Sequence, residues 1–374
     1  MGTDGVDDLL AGELIFMWCS AQRPTRASNR TVLTAATALA LALAGCSSNS
    51  TAPPAGGIAL WVANTGATAT GTTNGTPNPN TLLGYTASQL ASSTTVAPAV
   101  ILTTNNGNGG IALDAGGNLW VTDPFHNTVV EYTVSQQGKS GSPTPNVTLT
   151  ANGTGSLVGP EALAFDGSGN LWVANSAAAG TGANTLVEFR TGQLAASGSP
   201  TPAVRLSANA GSINNPHGIA FDSSGNLWIA DSGTVVEFSA SQLAASGSPA
   251  PPVTLSDDGL GSLNGPEGLT FDGKGNLWVT DFFANTVVGF SSSQLGSTGS
   301  PTPAVILRSG DESALNNPCG LAFDGQGNLW VSNLTTSWLL KYAAKELTSP
   351  SSPKPIVFIA GGRIVSPCAL AYVR

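Results

Sequence analysis

Charged side chains are what this 374-residue chain has least of. Asp, Glu, Lys and Arg make up 9% of it, with 13 basic against 22 acidic residues and a formal net charge of −9. So few cations argue against nucleic acid as a partner, because phosphate binding needs clustered Lys and Arg. Histidine occurs twice and cysteine four times. No Cys/His spacing of a zinc site, no nucleotide-binding glycine loop and no Ser/His/Asp spacing stands out. The apolar run Thr31 to Ala44 is too short for a membrane-spanning helix. What is abundant is Gly (46), Pro (24), Ser, Thr and Asn. Such a composition is shared with disordered chains. Here Trp, Leu, Val and Phe recur at fixed places, which argues for an all-β fold with many turns.

The N-terminal segment reads as an export signal. Arg23, Arg26 and Arg30 precede the apolar run, and small residues follow it. Leu43-Ala44-Gly45-Cys46 resembles the bacterial lipobox, whose cysteine is lipidated and becomes the mature N-terminus. Residues 1–16 are acidic, which is unusual ahead of a signal, and Met17 makes the more usual start. The expected division is a signal peptide over 1–45, a flexible lipid-anchored linker over 46–57 and a globular part over 58–374.

Five stretches of the globular part are near copies of one another: 107–123, 159–175, 215–231, 265–281 and 317–333. Each runs as a short apolar segment ending in Phe-Asp or its like, then x-x-Gly-Asn, then Leu-Trp-Val or Leu-Trp-Ile. Short apolar runs bounded by Gly, Asn and Asp are strand and hairpin chemistry. Six units are counted by Trp61, Trp120, Trp172, Trp228, Trp278 and Trp330, at spacings of 59, 52, 56, 50 and 52 residues. After each Trp comes a third strand ending in Tyr or Phe, a Ser-Gln-Leu-like turn, a Ser/Gly/Pro stretch and a fourth strand. A period near 50 with four strands per unit predicts a β-propeller. The first unit lacks its first strand, and residues 366–374 match that strand. The sequence therefore predicts an all-β, six-bladed β-propeller of four-stranded blades. Its ring is closed by the C-terminal strand (about 366–374) joining the N-terminal blade, so no sheet edge is left open at the seam. The chain is expected to be a monomer.

The consensus Pro-x-Gly-Leu/Ile-Ala-Phe-Asp-x-x-Gly-Asn-Leu-Trp-Val-x-Asp/Asn resembles that of NHL-repeat propellers over about residues 58–374. It is more distantly similar to the gluconolactonase (senescence-marker) and streptogramin-lyase propellers. The lactonase-like enzymes hold a metal through a carboxylate and amide set at the channel mouth, and that set has no residue-by-residue match here. Pro216-His217-Gly218 is the one local likeness to the streptogramin lyases. Such folds host many chemistries, so the resemblance speaks to fold and not to activity.

In a propeller the first strands line the central channel, and pockets lie at its mouth. The residue after the proline faces that mouth once per blade. Around the ring it reads Cys368, Gly109, Glu161, His217, Glu267 and Cys319. Glu161, His217 and Glu267 stand on three consecutive blades. They are the candidate catalytic set, as acid and base, and the candidate ligands of a divalent cation; the bland reading is a ring satisfied by backbone and water. Cys319 and Cys368 occupy equivalent sites on adjacent blades. A disulfide, two free thiols and a metal pair are all open to them, and a disulfide would pin the C-terminal strand to the sixth blade. His126, in the loop after Asp123, lies on the same face and is a further candidate. Asn64, Asp123, Asn175, Asp231, Asp281 and Asn333 close the second strands and read as loop-bracing groups. Phe282, Phe283 and Trp338 are placed in loops on that face. The long polar loops 65–80 and 176–184 border it.

These features lead to an exported bacterial envelope lipoprotein, periplasmic or surface-facing. Its propeller would act as a binding or interaction module for a protein, glycan or small molecule, with the membrane reached through the lipid at Cys46. The competing expectation is a metal-dependent hydrolase or lyase, lactonase-like or streptogramin-lyase-like, working at the channel mouth.

Overall fold

The structure, a computed structural model, describes residues 57–65, 80–104, 107–176, 184–207, 213–308, 315–350, 353–361 and 363–373. The export segment with Cys19 and Cys46, most of the tether, and nearly all of the loops 65–80 and 176–184 lie outside these residues.

The described residues form six four-stranded antiparallel sheets arranged as the blades of a propeller. Each strand is four to seven residues long except Ile111–Leu113, with three. Blade 4 shows the plan: Gly218–Phe221, Leu227–Asp231, Thr234–Phe238 and Val253–Ser256 pair in sequence order. Blade 1 is built from both ends of the chain. Pro367–Tyr372 lies beside Ile58–Asn64, with Leu60 opposite Tyr372 and Val62 opposite Leu370. Thr81–Thr86 and Val100–Thr103 complete that blade. The closure read from the sequence is therefore the closure of the fold.

The consensus residues explain one another once the blades are stacked. Asp222 opens the turn between the first two strands of blade 4. Its backbone oxygen accepts from Gly225 N (3.1 Å), and Gly225 takes φ +80°, a conformation glycine adopts without steric cost. The carboxylate then accepts from Ser224 N (2.8 Å), Asn226 N (3.0 Å), the Asn226 amide (2.9 Å) and Trp228 Nε1 (3.1 Å). That last bond fixes the indole, which reaches across to the next blade. Trp228 meets Phe271 of blade 5 edge-on, with ring centroids 6.1 Å apart. Trp120, Trp172 and Trp278 meet Phe165, Phe221 and Phe323 in the same way. Asp holds Trp, and Trp packs on the Phe of the following copy, so the motif is one interblade joint. Blades 1 and 6 depart from it. The C-terminal strand has no such Asp, and Trp61 Nε1 lacks a partner among the described residues. In blade 6 Asp324 is drawn to Lys341 Nζ at 2.8 Å, the ammonium lies 5.3 Å from the Trp330 ring centroid, and that indole N–H is likewise unpaired. Asp222→Ala is expected to lower the unfolding free energy by about 2–3 kcal/mol, since it strands a buried indole N–H and removes hydrogen bonds to a charged acceptor. Urea denaturation monitored by Trp fluorescence measures it.

The Ser/Gly/Pro stretches are structural straps. Gly141, Gly198, Gly247 and Gly299 each make a parallel bridge to the fourth strand of the preceding blade, at Leu102, Leu149, Leu206 and Leu255. The residue before each glycine accepts from that strand's outward N–H, as Ser197 Oγ does from Thr148 N at 2.9 Å. The outer edges of blades 1 to 4 are thereby covered, which removes a template for edge-to-edge pairing. Thr94 bridges to Ile359 in the same manner, so the strap also crosses the seam between blades 6 and 1. The Gln of each Ser-Gln-Leu-like turn secures the strap's return. Gln242 Oε1 accepts from Ser239 N (3.0 Å) and its amide donates to Ala250 O (2.8 Å).

Candidate functional site

The first strands converge on a central channel holding about 330 Å³, lined among others by Glu161, His217, Glu267, Cys319 and Cys368. Why these side chains face it follows from the Pro-x-Gly geometry. The glycine after x abuts the backbone of the next blade: a Cβ on Gly218 would stand 2.5 Å from Glu267 O, and one on Gly110 2.8 Å from Glu161 O. At Gly110, Gly218, Gly268 and Gly320 that close approach leaves room for glycine alone, whereas Ala162 and Ala369 hold the place after x in blades 3 and 1. The five polar candidates of the x position are brought together as the sequence places them, and Gly109 of blade 2 leaves the remaining sector open.

His217 is the best anchored. Its Nε2 lies 2.6 Å from the Asn215 amide nitrogen, and the Asn215 carbonyl oxygen accepts from the Ser176 hydroxyl. The Asn215 N–H donates to Nε2, which leaves the proton of the neutral ring on Nδ1. That atom faces Glu267 Oε1 at 3.6 Å. Asn215 holds φ 118°, a region that non-glycine residues seldom occupy, so backbone conformation is given over to this alignment. Neither Ser176 nor Asn215 was singled out for the site from the sequence. Asn215 occupies the same place as Asn317 and carries no local mark of its task.

Low polarity and mutual proximity set the ionisation. Burial pushes the Glu267 carboxyl up to about 7. Burial also raises Glu161; His217 opposes that shift and Glu267 adds to it. Burial lowers His217 below the usual imidazole range, against the pull of Glu161 and Asp231. Near neutral pH the mouth therefore holds a neutral imidazole beside a carboxyl that is poised to gain or lose a proton. Among the described residues lining this channel there is no Lys or Arg.

Cys319 and Cys368 are placed as a disulfide across the seam between blades 6 and 1, their α-carbons 4.9 Å apart. Glu267 Oε1 stands 3.8 Å from Cys319 Sγ, and this carboxylate and the two sulfurs gather within 4.8 Å of one another. Sulfurs bonded to each other offer no thiolate to a metal. His126 is not among the channel residues. Its Nδ1 contacts Asp123 Oδ2 at 2.7 Å, and its side chain is 63% exposed. Trp338 also differs from its expected place in a loop: it opens the strand Trp338–Tyr342 and packs edge-on against Phe358 at 4.8 Å, because the fourth strand supplies an aromatic beside it. The residues closing the second strands brace loops. Asp231 accepts twice from Asn214 N, and Asn64 donates to Arg363 O.

A six-bladed ring, four antiparallel strands per blade and the Asn-Pro-His-Gly hairpin of blade 4 together set up a comparison with known repeats. Residues 214–234 match the NHL repeat. That span holds Asn215, His217 and Asp231, so the NHL repeat of blade 4 is also the part that carries the imidazole. No curated protein sequence matches the chain. Among solved structures, a protein of unknown function from Bacteroides caccae is 12% identical with a TM-score of 0.58, over 85% of this chain and 99% of that one. A chain of a nidogen/laminin complex is 16% identical with a TM-score of 0.55, over 84% and 98%. A streptogramin B lyase is 16% identical with a TM-score of 0.43, over 64% of this chain and 66% of the lyase, just under two thirds of its length. At these identities the likeness is one of fold.

Proposed function

We propose that this chain is an exported, lipid-anchored β-propeller that binds a small ligand at its channel mouth, at the bacterial cell envelope. The observation that carries the binding reading is the convergence of Glu161, His217 and Glu267, from three consecutive blades, on an open channel where burial shifts all three. The envelope reading is supported by the basic, apolar and Leu43-Ala44-Gly45-Cys46 run of the sequence. A second reading, a hydrolase or lyase, is favoured by one specific feature: the imidazole has its tautomer set by Asn215 and faces a carboxyl titrating near 7, which is suited to proton transfer.

A ligand-detected NMR screen of a polar small-molecule library separates these. Hits that are lost in Glu161→Gln/Glu267→Gln and recovered chemically unchanged support the binding module. Hits converted at a rate that collapses in His217→Ala and Glu267→Gln support the enzyme. Hits unaffected by either change, or no hits, overturn the assignment of the site. Incorporation of radiolabelled palmitate that disappears in Cys46→Ala tests the anchor.

A further inference from the structure

We infer that the mouth is a receptor for an organic cation, an ammonium or quaternary ammonium group carried on an apolar or aromatic body. This rests on the reading of the mouth as a ligand site and names the chemistry of what enters it.

Two observations meet here. The first is electrostatic. A pocket of about 520 Å³ adjoins the channel and shares His217, Glu267, Cys319 and Cys368 with it. Among the described residues lining either space there are two ligand-facing carboxylates, Glu161 and Glu267, and no Lys or Arg. Two partly desolvated carboxylates without a cation form a site whose missing partner is positive. The second is aromatic. Phe125 and Phe283 are 73% and 66% exposed, the largest such values for an aromatic ring among the described residues. Phe125 lines the channel, and Phe282 and Phe283 line the adjoining pocket. Neither exposed ring is adrift. Phe125 lies on the α-carbon of Gly107 and Phe283 on that of Gly265, so closely that a Cβ on either glycine would collide with the ring. Phe282 meets Phe283 edge-on at 5.3 Å. Phe125 belongs to blade 2 and Phe283 to blade 5, which stand opposite each other in a ring of six. Phe125 thus shares the channel lining with Glu161 and Glu267, Phe283 shares the adjoining pocket with Glu267, and aromatic faces beside carboxylates attract cations.

An inorganic divalent ion suits the site less well. Both His217 nitrogens are engaged, one by Asn215 and one toward Glu267. The two sulfurs are bonded to each other. Glu161 and Glu267 stand on blades 3 and 5, with His217 between them, so no third strong donor completes a coordination shell.

Isothermal titration of the intact propeller with benzyltrimethylammonium, benzyl alcohol, phenylacetate and tetramethylammonium tests this. The quaternary probe has no proton of its own to titrate. It is expected to bind at least about tenfold more tightly than benzyl alcohol, from the Coulomb attraction of its fixed charge to the carboxylates. Its affinity should rise about tenfold between pH 6 and 8, as a carboxyl near 7 passes from a tenth to nine-tenths ionised. Glu161 and His217 are the other titratable groups lining this position and Asp231 acts on His217; with rising pH the carboxyls gain negative charge and the imidazole loses its positive charge, so all act in the same direction. Glu161→Gln/Glu267→Gln should abolish both the preference and the pH trend. Phe125→Ala/Phe283→Ala, at exposed rings, should keep the melting temperature and weaken the benzyl cation several-fold more than tetramethylammonium. Equal binding of the neutral probe, tighter binding of phenylacetate, or displacement of the cation by micromolar Ca²⁺ or Zn²⁺ overturns the proposal. If library ligands bind at the mouth and these cations do not, the cation class fails while the ligand site stands.

Discussion

A chain ending at Val365 is expected to lose its cooperative fold. The deleted residues supply the inner strand of blade 1. Without Pro367–Tyr372 the strand Ile58–Asn64 keeps one neighbour, Thr81–Thr86, and presents its other edge to the channel side. The bond from Val373 N to Ala59 O (2.8 Å) goes as well. Leu370 leaves the cluster that contains Trp330, Leu60 and Ile364, and Tyr372 no longer packs against it. Cys319 loses its partner. What remains at the seam is the outer strap, where Thr94 N donates to Phe358 O (3.1 Å) and Phe358 N to Ser93 Oγ (3.0 Å), with the packing of Leu60, Leu83 and Tyr85 on Trp330 and Ile359 and the bonds of Asn64 to Arg363 O and Val365 N. These contacts leave the inner edge of Ile58–Asn64 without its ladder partner. The loss is comparable with the whole stability of an ordinary domain, about 5–15 kcal/mol. Size-exclusion chromatography and thermal melting should show the monomer replaced by aggregate, as an unpaired inner edge invites. A monomer melting within a few degrees of the full chain would mean that closure is not cooperative.

The second large effect is expected from Cys319→Ser/Cys368→Ser. The bond spans 49 residues, from blade 6 to the C-terminal strand. Loop-closure entropy for a ring of that length corresponds to about 4 kcal/mol of stabilisation, through restriction of the unfolded chain. The double variant, and the wild type under reductant, should both unfold at lower denaturant concentration by a matching amount. Because the bond acts on the unfolded chain, the folded ring of the variant should be unchanged, with the strand pairing and strap at the seam intact. Equal stability of oxidised and reduced protein would show that strand pairing alone sets the seam. Mass spectrometry without reductant reports the bond directly.

The mouth shows where residue-level reading of the sequence reached its end. Position x after the proline was visible as the one place where copies of a near-constant hairpin disagree, and Glu161, His217, Glu267, Cys319 and Cys368 do share the channel. Phe125 and Phe283 lie at matching places of two like loops, each Asp-x-Phe-x-Asn-Thr-Val-Val. Nothing in their local sequence says that each ring would be seated on a glycine some 18 residues earlier in the chain. The role of Asn215 was hidden because asparagine before proline is also what a tight turn asks for. His126, for which the sequence also offered a solvent-exposed loop position, is exposed as that reading has it. Topology put it on the right face, and the nearby Asp123 carboxylate, three residues away, captured it.

What the sequence by itself determined is the blade: four short strands, an Asp-x-x-Gly-Asn turn, six copies and a split first unit. Each of these follows from local pattern, since a hairpin's partners lie within about 15 residues and its register is set by the turn. Tertiary structure alone decided the rest. It turned the Ser/Gly/Pro stretches into straps, moved Asp324 from Trp330 to Lys341, and aligned Ser176, Asn215, His217 and Glu267 across blades 3, 4 and 5. Apart from the Asn215–His217 pair and the seam strap from Thr94 to Ile359, those contacts join residues 17 to 50 positions apart, and the ones between blades exist only because a closed ring holds every first strand at one distance from a common axis.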